Sequence, residues 1–143
     1  MITPWVRALA ICVCRDGGRL LLAEYRDERK NETFYRPLGG TIEFGERGEQ
    51  AVKREFEEEI GAHLLDVRYL GMLENIYVYE EKPGHEIVLV YDGRLAEAGL
   101  YQQAEIMGDE FGTPFKVVWK RLDEFGAGKP PLYPDGLLEL LRS

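Results

Sequence analysis

The sequence predicts an α/β domain in which a mixed β-sheet carries helices packed against it. Three observations predict it. Six apolar or β-branched runs are separated by polar, glycine- and proline-containing turns. One central segment repeats its apolar residues at helical spacing. With 45% apolar and 31% charged side chains, 143 residues fit one domain, residues 1–143, with room for a core. A sheet with helices laid on it is the economical way to bury such elements.

Taken in order, residues 6–15 (VRALAICVCR) are apolar and β-branched enough for a strand. Asp16-Gly17-Gly18 is turn chemistry, and residues 19–25 are the return strand. A polar loop is expected over 26–33, then a short extended piece over 34–40 (FYRPLGG). Pro37 removes a ladder donor there, and Gly39 and Gly40 allow close backbone approach. A helical pattern runs from about Arg47 to Ile60, with Ala51, Val52, Phe56 and Ile60 on its buried side. Gly61 stands where a helix C′ glycine belongs. Residues 64–80 and 85–95 read as two long strands around Glu81-Lys82-Pro83-Gly84. Residues 95–103 suggest a short helix, 103–114 a loop, and 115–122 another strand. The chain closes with a helix in YPDGLLELLRS, Pro134 suiting its first turn.

Composition excludes several function classes. No apolar run reaches the ~18 residues of a membrane span. The start of the chain lacks the basic and cleavage features of a secretory signal. Cys12 and Cys14, two apart on a strand, share a face, are poorly placed for a disulfide and lack metal-ligand partners. Reduced thiols in or near a core are expected, which fits a cytoplasmic protein. The net charge is −8 with no basic stripe, which argues against a nucleic-acid polymer as partner. A small polyanion remains compatible, provided cations screen it.

Residues 54–61 (REFEEEIG) pose the functional question, because Glu55, Glu57, Glu58 and Glu59 crowd one helix and like charges at this spacing repel. At about 100° per residue, Glu55, Glu58 and Glu59 share one face and Glu57 points to the far side. Phe56 and Ile60 lie beside the acidic face, so the helix presents an apolar stripe with an adjoining carboxylate patch. Carboxylates this close raise one another's pKa, and a hard divalent cation with oxygen ligands reverses that. An exposed acidic helix is the plain alternative from the helix alone.

The flanking residues change that weighing. Gly40, Glu46, Arg54, Glu55, Phe56, Glu58, Glu59 and Gly61 fall into the pattern G-x5-E-x7-R-E-U-x-E-E-x-G, with U apolar. This resembles the Nudix box, the 23-residue signature of the Nudix hydrolase family, here Gly40 to Ala62. Ala62 departs from the larger aliphatic residue usual there, which bears on packing and not on chemistry. FYRPLGGTIEFGE, HEIVLVY and LYPDGLLELL also look like a bacterial branch of the family, so the resemblance covers most of the chain.

The resemblance implies a Nudix-type α/β/α sandwich with a mixed sheet. It implies hydrolysis of the pyrophosphate in a nucleoside diphosphate linked to another moiety, with magnesium or manganese required. Metal ions would bridge a polyanionic substrate to this acidic chain and acidify the attacking water. Carried over by position, Glu55, Glu58 and Glu59 are the metal-binding acids, and the Gly39 carbonyl is an extra ligand. Gly40, Glu46 and Arg54 support them, Arg54 by orienting a carboxylate. Which group takes the proton stays open among Glu55, Glu58 and a loop glutamate. For the last, Glu110 is nearest to the expected place, with Glu105 and Asp109 as rivals and Gly108 and Gly112 as hinges. Arg36, just before PLGG, could pair with phosphate or be structural. Tyr77 and Tyr79 share a strand face, where either could stack on a base. The expected partner is a small nucleotide, not a membrane, and a homodimer is left open. A non-catalytic nucleotide or metabolite sensor on the same fold is the alternative, though such modules often lose a box glutamate and none is lost here.

Overall fold

The structure is a computed structural model that describes residues 4–143. Strands β1 (Arg7–Asp16) and β2 (Arg19–Asp27) join through Gly17 and Gly18, both at positive φ, as the Asp-Gly-Gly turn predicts. They share only two residue pairs, Arg15 with Leu20 and Asp16 with Arg19, and then splay apart. Two short strands occupy the opening: β3 (Glu32–Arg36) pairs with β2 and β4 (Gly39–Thr41) with β1. Between them, the Leu38 carbonyl accepts the Cys12 N–H at 3.0 Å, so Pro37 interrupts the ladder without releasing the chain.

Helix α1 (Gly48–Ile60) follows, then the long hairpin of β5 (Leu64–Tyr79) and β6 (Lys82–Leu95), then β7 (Glu105–Glu110), β8 (Thr113–Arg121) and a final helix α2 (Leu137–Arg142). The strand order is β5-β6-β1-β2-β8-β7, and β6 runs parallel to β1 whereas the other neighbours are antiparallel. The sheet is therefore mixed, as expected. Alternation along β1 splits the core into two layers. Ala10, Cys12 and Cys14 pack towards Ala51, Val52 and Phe56 of α1. Leu9, Ile11 and Val13 pack on the other face with Leu137 and Leu141 of α2. The result is the predicted α/β/α sandwich, with both cysteines free and buried.

Four boundaries differ from the sequence reading, each for a local reason. The loop at 26–33 is shorter, because buried Asp27 accepts the N–H groups of Arg29 and Lys30 (3.0 and 3.1 Å) and turns the chain tightly into β3. The β5–β6 turn is Glu80-Glu81, both at positive φ, and not residues 81–84. Gly84 instead sits within β6 opposite Tyr77, where an added Cβ would come within 2.1 Å of the tyrosine ring. Residues 105–110, read as loop, form β7, and Gly108 there lies under the Phe115 ring in the same way. Helix α2 begins at Leu137, after Gly136 at φ 90°, so Pro134 precedes the helix and is not in its first turn.

Candidate active site

Helix α1 is anchored by fully buried Ala51, Val52 and Phe56, and that anchoring sets the depth of its acids. Glu59 is 6% exposed, the Glu55 side chain 15%, and the Glu58 side chain 55%. Gly61 ends the helix in the left-handed conformation, φ 66°, as its C′ position predicts. Gly40 on β4 seats Glu55: a Cβ there would lie 2.6 Å from the carboxylate carbon. The glycine before it answers to a different neighbour. At φ 154°, a Cβ on Gly39 would meet the Ala10 carbonyl oxygen at 2.0 Å, so β1 demands this glycine.

Arg54 ties the acids together. Its Nε and Nη2 donate to the two oxygens of Glu46 (2.8 and 2.9 Å), and Nη1 donates to Glu55 (2.8 Å) and Glu58 (3.3 Å). Nη2 also reaches the Thr41 carbonyl at 3.1 Å. This is a fixed hub and not a surface i,i+4 pair. Hydrogen bonds from Arg54 hold the Glu46 carboxyl below its usual range. Glu59 moves the other way. Burial, then a hydrogen bond and charge from Glu55, then the charges of Glu110 and Glu58 push it up to about 9. The arrangement thus contains a buried acid that keeps its proton for want of a positive charge.

That donor set suits a hard divalent cation. It is oxygen-only, with Glu55 and Glu59 inward, Glu58 at the rim and the Gly39 backbone alongside. Among the described residues no three His, Cys, Asp or Glu side chains converge into a complete cage. A cation that completes its shell with water and substrate oxygens fits such a partial set.

Beside the acids lies a cavity of about 420 Å³, where β1 and β2 diverge. Gly39, Gly40, Glu59 and Glu110 line it, and so do Arg36, Tyr77 and Tyr79. Glu46, Arg54, Glu55 and Glu58 do not, although Glu55 lies against Gly40. Glu110 is at the end of β7, exposed, and its charge acts on Glu59. It therefore sits on a strand end before the Phe111-Gly112 turn, not on a glycine-hinged loop. Glu105 occupies the opposite end of β7, 3.8 Å from Lys116, and Asp109 accepts the Gly112 N–H at 3.3 Å. Neither lines the cavity. Tyr79 packs edge-on against Phe34, ring centroids 5.8 Å apart, and Phe34 also contacts Tyr25 and Tyr133.

Sequence reasoning singled out Arg36 and Tyr77 but missed the acid that joins them. Glu86 is fully buried in the cavity wall. Its Oε2 accepts from Arg7 (2.6 Å) and the Tyr77 hydroxyl (3.1 Å), and its Oε1 from Arg36 (3.3 Å) and the Asn75 amide (3.2 Å). Burial alone would raise this acid, but the charges of Arg36 and Arg7 and the hydrogen bonds from Asn75 and Tyr77 hold it below its ordinary range. One signal was available: Glu86, Val88 and Val90 alternate on a buried face, which puts an acid at a core position.

Comparison with known proteins bears on family and fold. The model of the NUDIX domain matches residues 4–137. YtkD of Bacillus subtilis (strain 168), provisionally named an 8-oxo-dGTP diphosphatase, is 32% identical over 112 residues, covering 78% of this chain and 61% of YtkD. The NAD-capped RNA hydrolase NudC of Mycobacterium tuberculosis (strain ATCC 25618 / H37Rv) is 33% identical over 111 residues, covering 72% of this chain and 35% of NudC. The chain therefore spans less than two thirds of either relative. The crystal structure of a MutT NUDIX hydrolase from Burkholderia pseudomallei superposes with a TM-score of 0.67 at 22% identity, covering 96% of this chain and 97% of that one, which shows a shared fold. With the family's domain matched over residues 4–137, nearly the whole length of this chain, the chain belongs to the Nudix hydrolase family.

Proposed function

We propose that residues 1–143 act as a single Nudix domain, a pyrophosphohydrolase that uses magnesium or manganese on a nucleoside diphosphate linked to another moiety. The observation that carries this reading is Glu59: a buried acid pushed up to about 9 beside Glu55, facing a cavity of nucleotide-compatible size. Glu55, Glu58, Glu59 and the Gly39 carbonyl would hold the ion. Bound there, the ion would offset phosphate charge and make the attacking water more acidic. Arg54 fixes the directions of Glu55 and Glu58, and Glu46 fixes Arg54. Glu110, which lines the cavity with Glu59, would take the proton from water; Glu55 and Glu58 are the other candidates. Tyr79 and Phe34 offer a face for a base, with Arg36 and Tyr77 contacting the remainder of the substrate.

The test is a hydrolysis panel with product identification, run with and without magnesium, on wild type and Glu58→Gln. Nucleoside triphosphates, including an oxidised purine as the name YtkD suggests, belong on it, as do NAD-linked substrates suggested by NudC. Turnover should require the divalent ion and fall at least about 100-fold in the variant. Nucleotide binding without turnover of any panel member would instead favour the sensor reading.

A further inference from the structure

The cavity has a second polar end that hydrolysis at the helix acids leaves unexplained. Glu86 is saturated by four donors, from Arg7, Arg36, Asn75 and Tyr77, that come from three different strands. Two guanidiniums face one carboxylate, so the cluster carries one net positive charge inside a chain of net charge −8. Both arginines line the cavity, and their side chains stay 43% and 18% exposed. Each uses only its Nη2 on the cluster, which leaves further N–H groups of two cavity-lining side chains able to donate elsewhere.

A purely structural role explains this poorly. A buried ion cluster is often no more stable than the apolar packing that could replace it, and this one lies in a cavity wall with both arginines partly exposed. Its parts are instead well suited to holding two guanidiniums in fixed directions. Asn75 is itself held, its Oδ1 accepting the Asp135 N–H at 3.2 Å. Tyr77 lies flat only because residue 84 is glycine.

We propose that Arg7 and Arg36, aimed by the buried Glu86, form an anion subsite that takes a phosphate of the substrate other than the two joined by the scissile bond. This rests on the hydrolase reading above and deepens it: the preferred substrates carry an additional phosphate, as in a nucleoside triphosphate or a phosphorylated dinucleotide. Guanidinium forks match phosphate oxygens in charge and geometry. The acidic end of the cavity would repel that phosphate, so the net positive end decides which way the substrate lies. Glu86, Asn75 and Tyr77 are positioning residues here and need not touch the ligand.

The experiment measures binding by calorimetry, with and without magnesium, for ligand pairs differing by one phosphate: nucleoside diphosphates against triphosphates, and NADH against NADPH. In at least one pair the phosphate-richer member should bind wild type at least about tenfold tighter, the order expected for a charge-assisted hydrogen bond. Arg7→Met and Arg36→Met should each reduce that ratio to about threefold or less, the loss of affinity falling mainly on the phosphate-richer member. Arg7→Lys keeps a cation on Glu86 and so safeguards folding, yet loses the fork, and should lower the ratio as well. Equal binding in every pair, or a preference that survives all three variants, overturns the subsite. Hydrolysis of the same ligands separates the two ideas: turnover without phosphate preference removes the subsite alone, and preference without turnover removes the hydrolase reading alone.

Discussion

The Arg54 hub beside the acidic end of the cavity and the Glu86 cluster at its other end use the same ionic parts in opposite ratio. Around Arg54, four carboxylates, those of Glu43, Glu46, Glu55 and Glu58, lie within 3.6 Å of one guanidinium. Around Glu86, two guanidiniums and two neutral donors surround one carboxylate. Glu59 is not among the carboxylates that pair with Arg54 and keeps its proton, whereas Glu86, more deeply buried, loses it. Burial alone does not decide ionisation; the local count of opposite charges does. Removing a carboxylate should therefore have opposite effects at the two ends.

The largest expected effect is at Glu86. Glu86→Ala leaves Arg7 and Arg36 side by side without their anion and opens a void in the wall. Loss of one partner from a buried ion cluster should destabilise the fold by about 3 kcal/mol, read from urea unfolding. Unchanged stability would mean that the cluster is solvated and that the contrast between the ends is false.

Glu59→Gln should do the reverse. Its folded pKa is raised from an ordinary 4.5 to about 9, so folding favours the protonated form. Stability from this group is then complete below about pH 4.5 and is lost as pH rises towards 9. In EDTA, the variant's Tm should match wild type near pH 4.5 and exceed it increasingly up to pH 9. Activity with magnesium should nevertheless fall at least about 100-fold. A variant less stable than wild type at pH 8 without metal would show that Glu59 is already neutralised by a partner.

The contrast also explains what was legible. The acidic end is written in one contiguous segment, so spacing on a helix was enough to gather Glu55, Glu58 and Glu59 on one face. Spacing could not tell their depths apart; Phe56 packing does that. Gly40 and Arg54 belong to the same segment and were found with it. The Glu86 end joins residues up to 79 positions apart, from β1, β3, β5 and β6, and no local pattern links them. Arg36 and Tyr77 were singled out, but as substrate contacts, without their common partner. In the fold, β1, α1 and the β5–β6 hairpin were readable from apolar period. Strand β7 was not, because Gly108 and Asp109 are poor strand formers that are accepted here through the Phe115 ring and the tight turn.

A smaller effect separates the candidate bases. Glu110→Gln should lower kcat at least about tenfold, less than the loss of about 100-fold or more usual for a lost proton acceptor because Glu55 and Glu58 can take its place, with little change in magnesium affinity. Glu105→Gln, at the far end of β7 beside Lys116, should stay within about twofold of wild type. If both keep full kcat, the proton leaves through the helix acids and the acidic end works without β7.

The smallest effect serves as the outside reference for both ends. His63 and Glu97 pair at 2.6 Å, Nδ1 to Oε2, on the surface away from the cavity. Glu97 raises the His63 pKa above 6.5, and His63 holds Glu97 below its ordinary 4.5. For the histidine, the stabilisation is fully present below about pH 6.5 and is lost as pH rises through its folded value. For the glutamate, it is present above about pH 4.5 and is lost as pH falls through its folded value. The pair thus contributes most between about pH 4.5 and 6.5. His63→Gln keeps the backbone N–H to Glu97 Oε1, 2.9 Å, so only the ionic part is removed. Because the histidine side chain is 60% exposed, solvent screens the pair and the Tm should drop by about one degree at pH 5.5. That drop should vanish by pH 8.5. A drop as large as that of Glu86→Ala would mean that surface pairs in this acidic chain are as strong as buried ones, and the two ends of the cavity would lose their distinction. A drop independent of pH would trace to lost contacts and not to the histidine's charge.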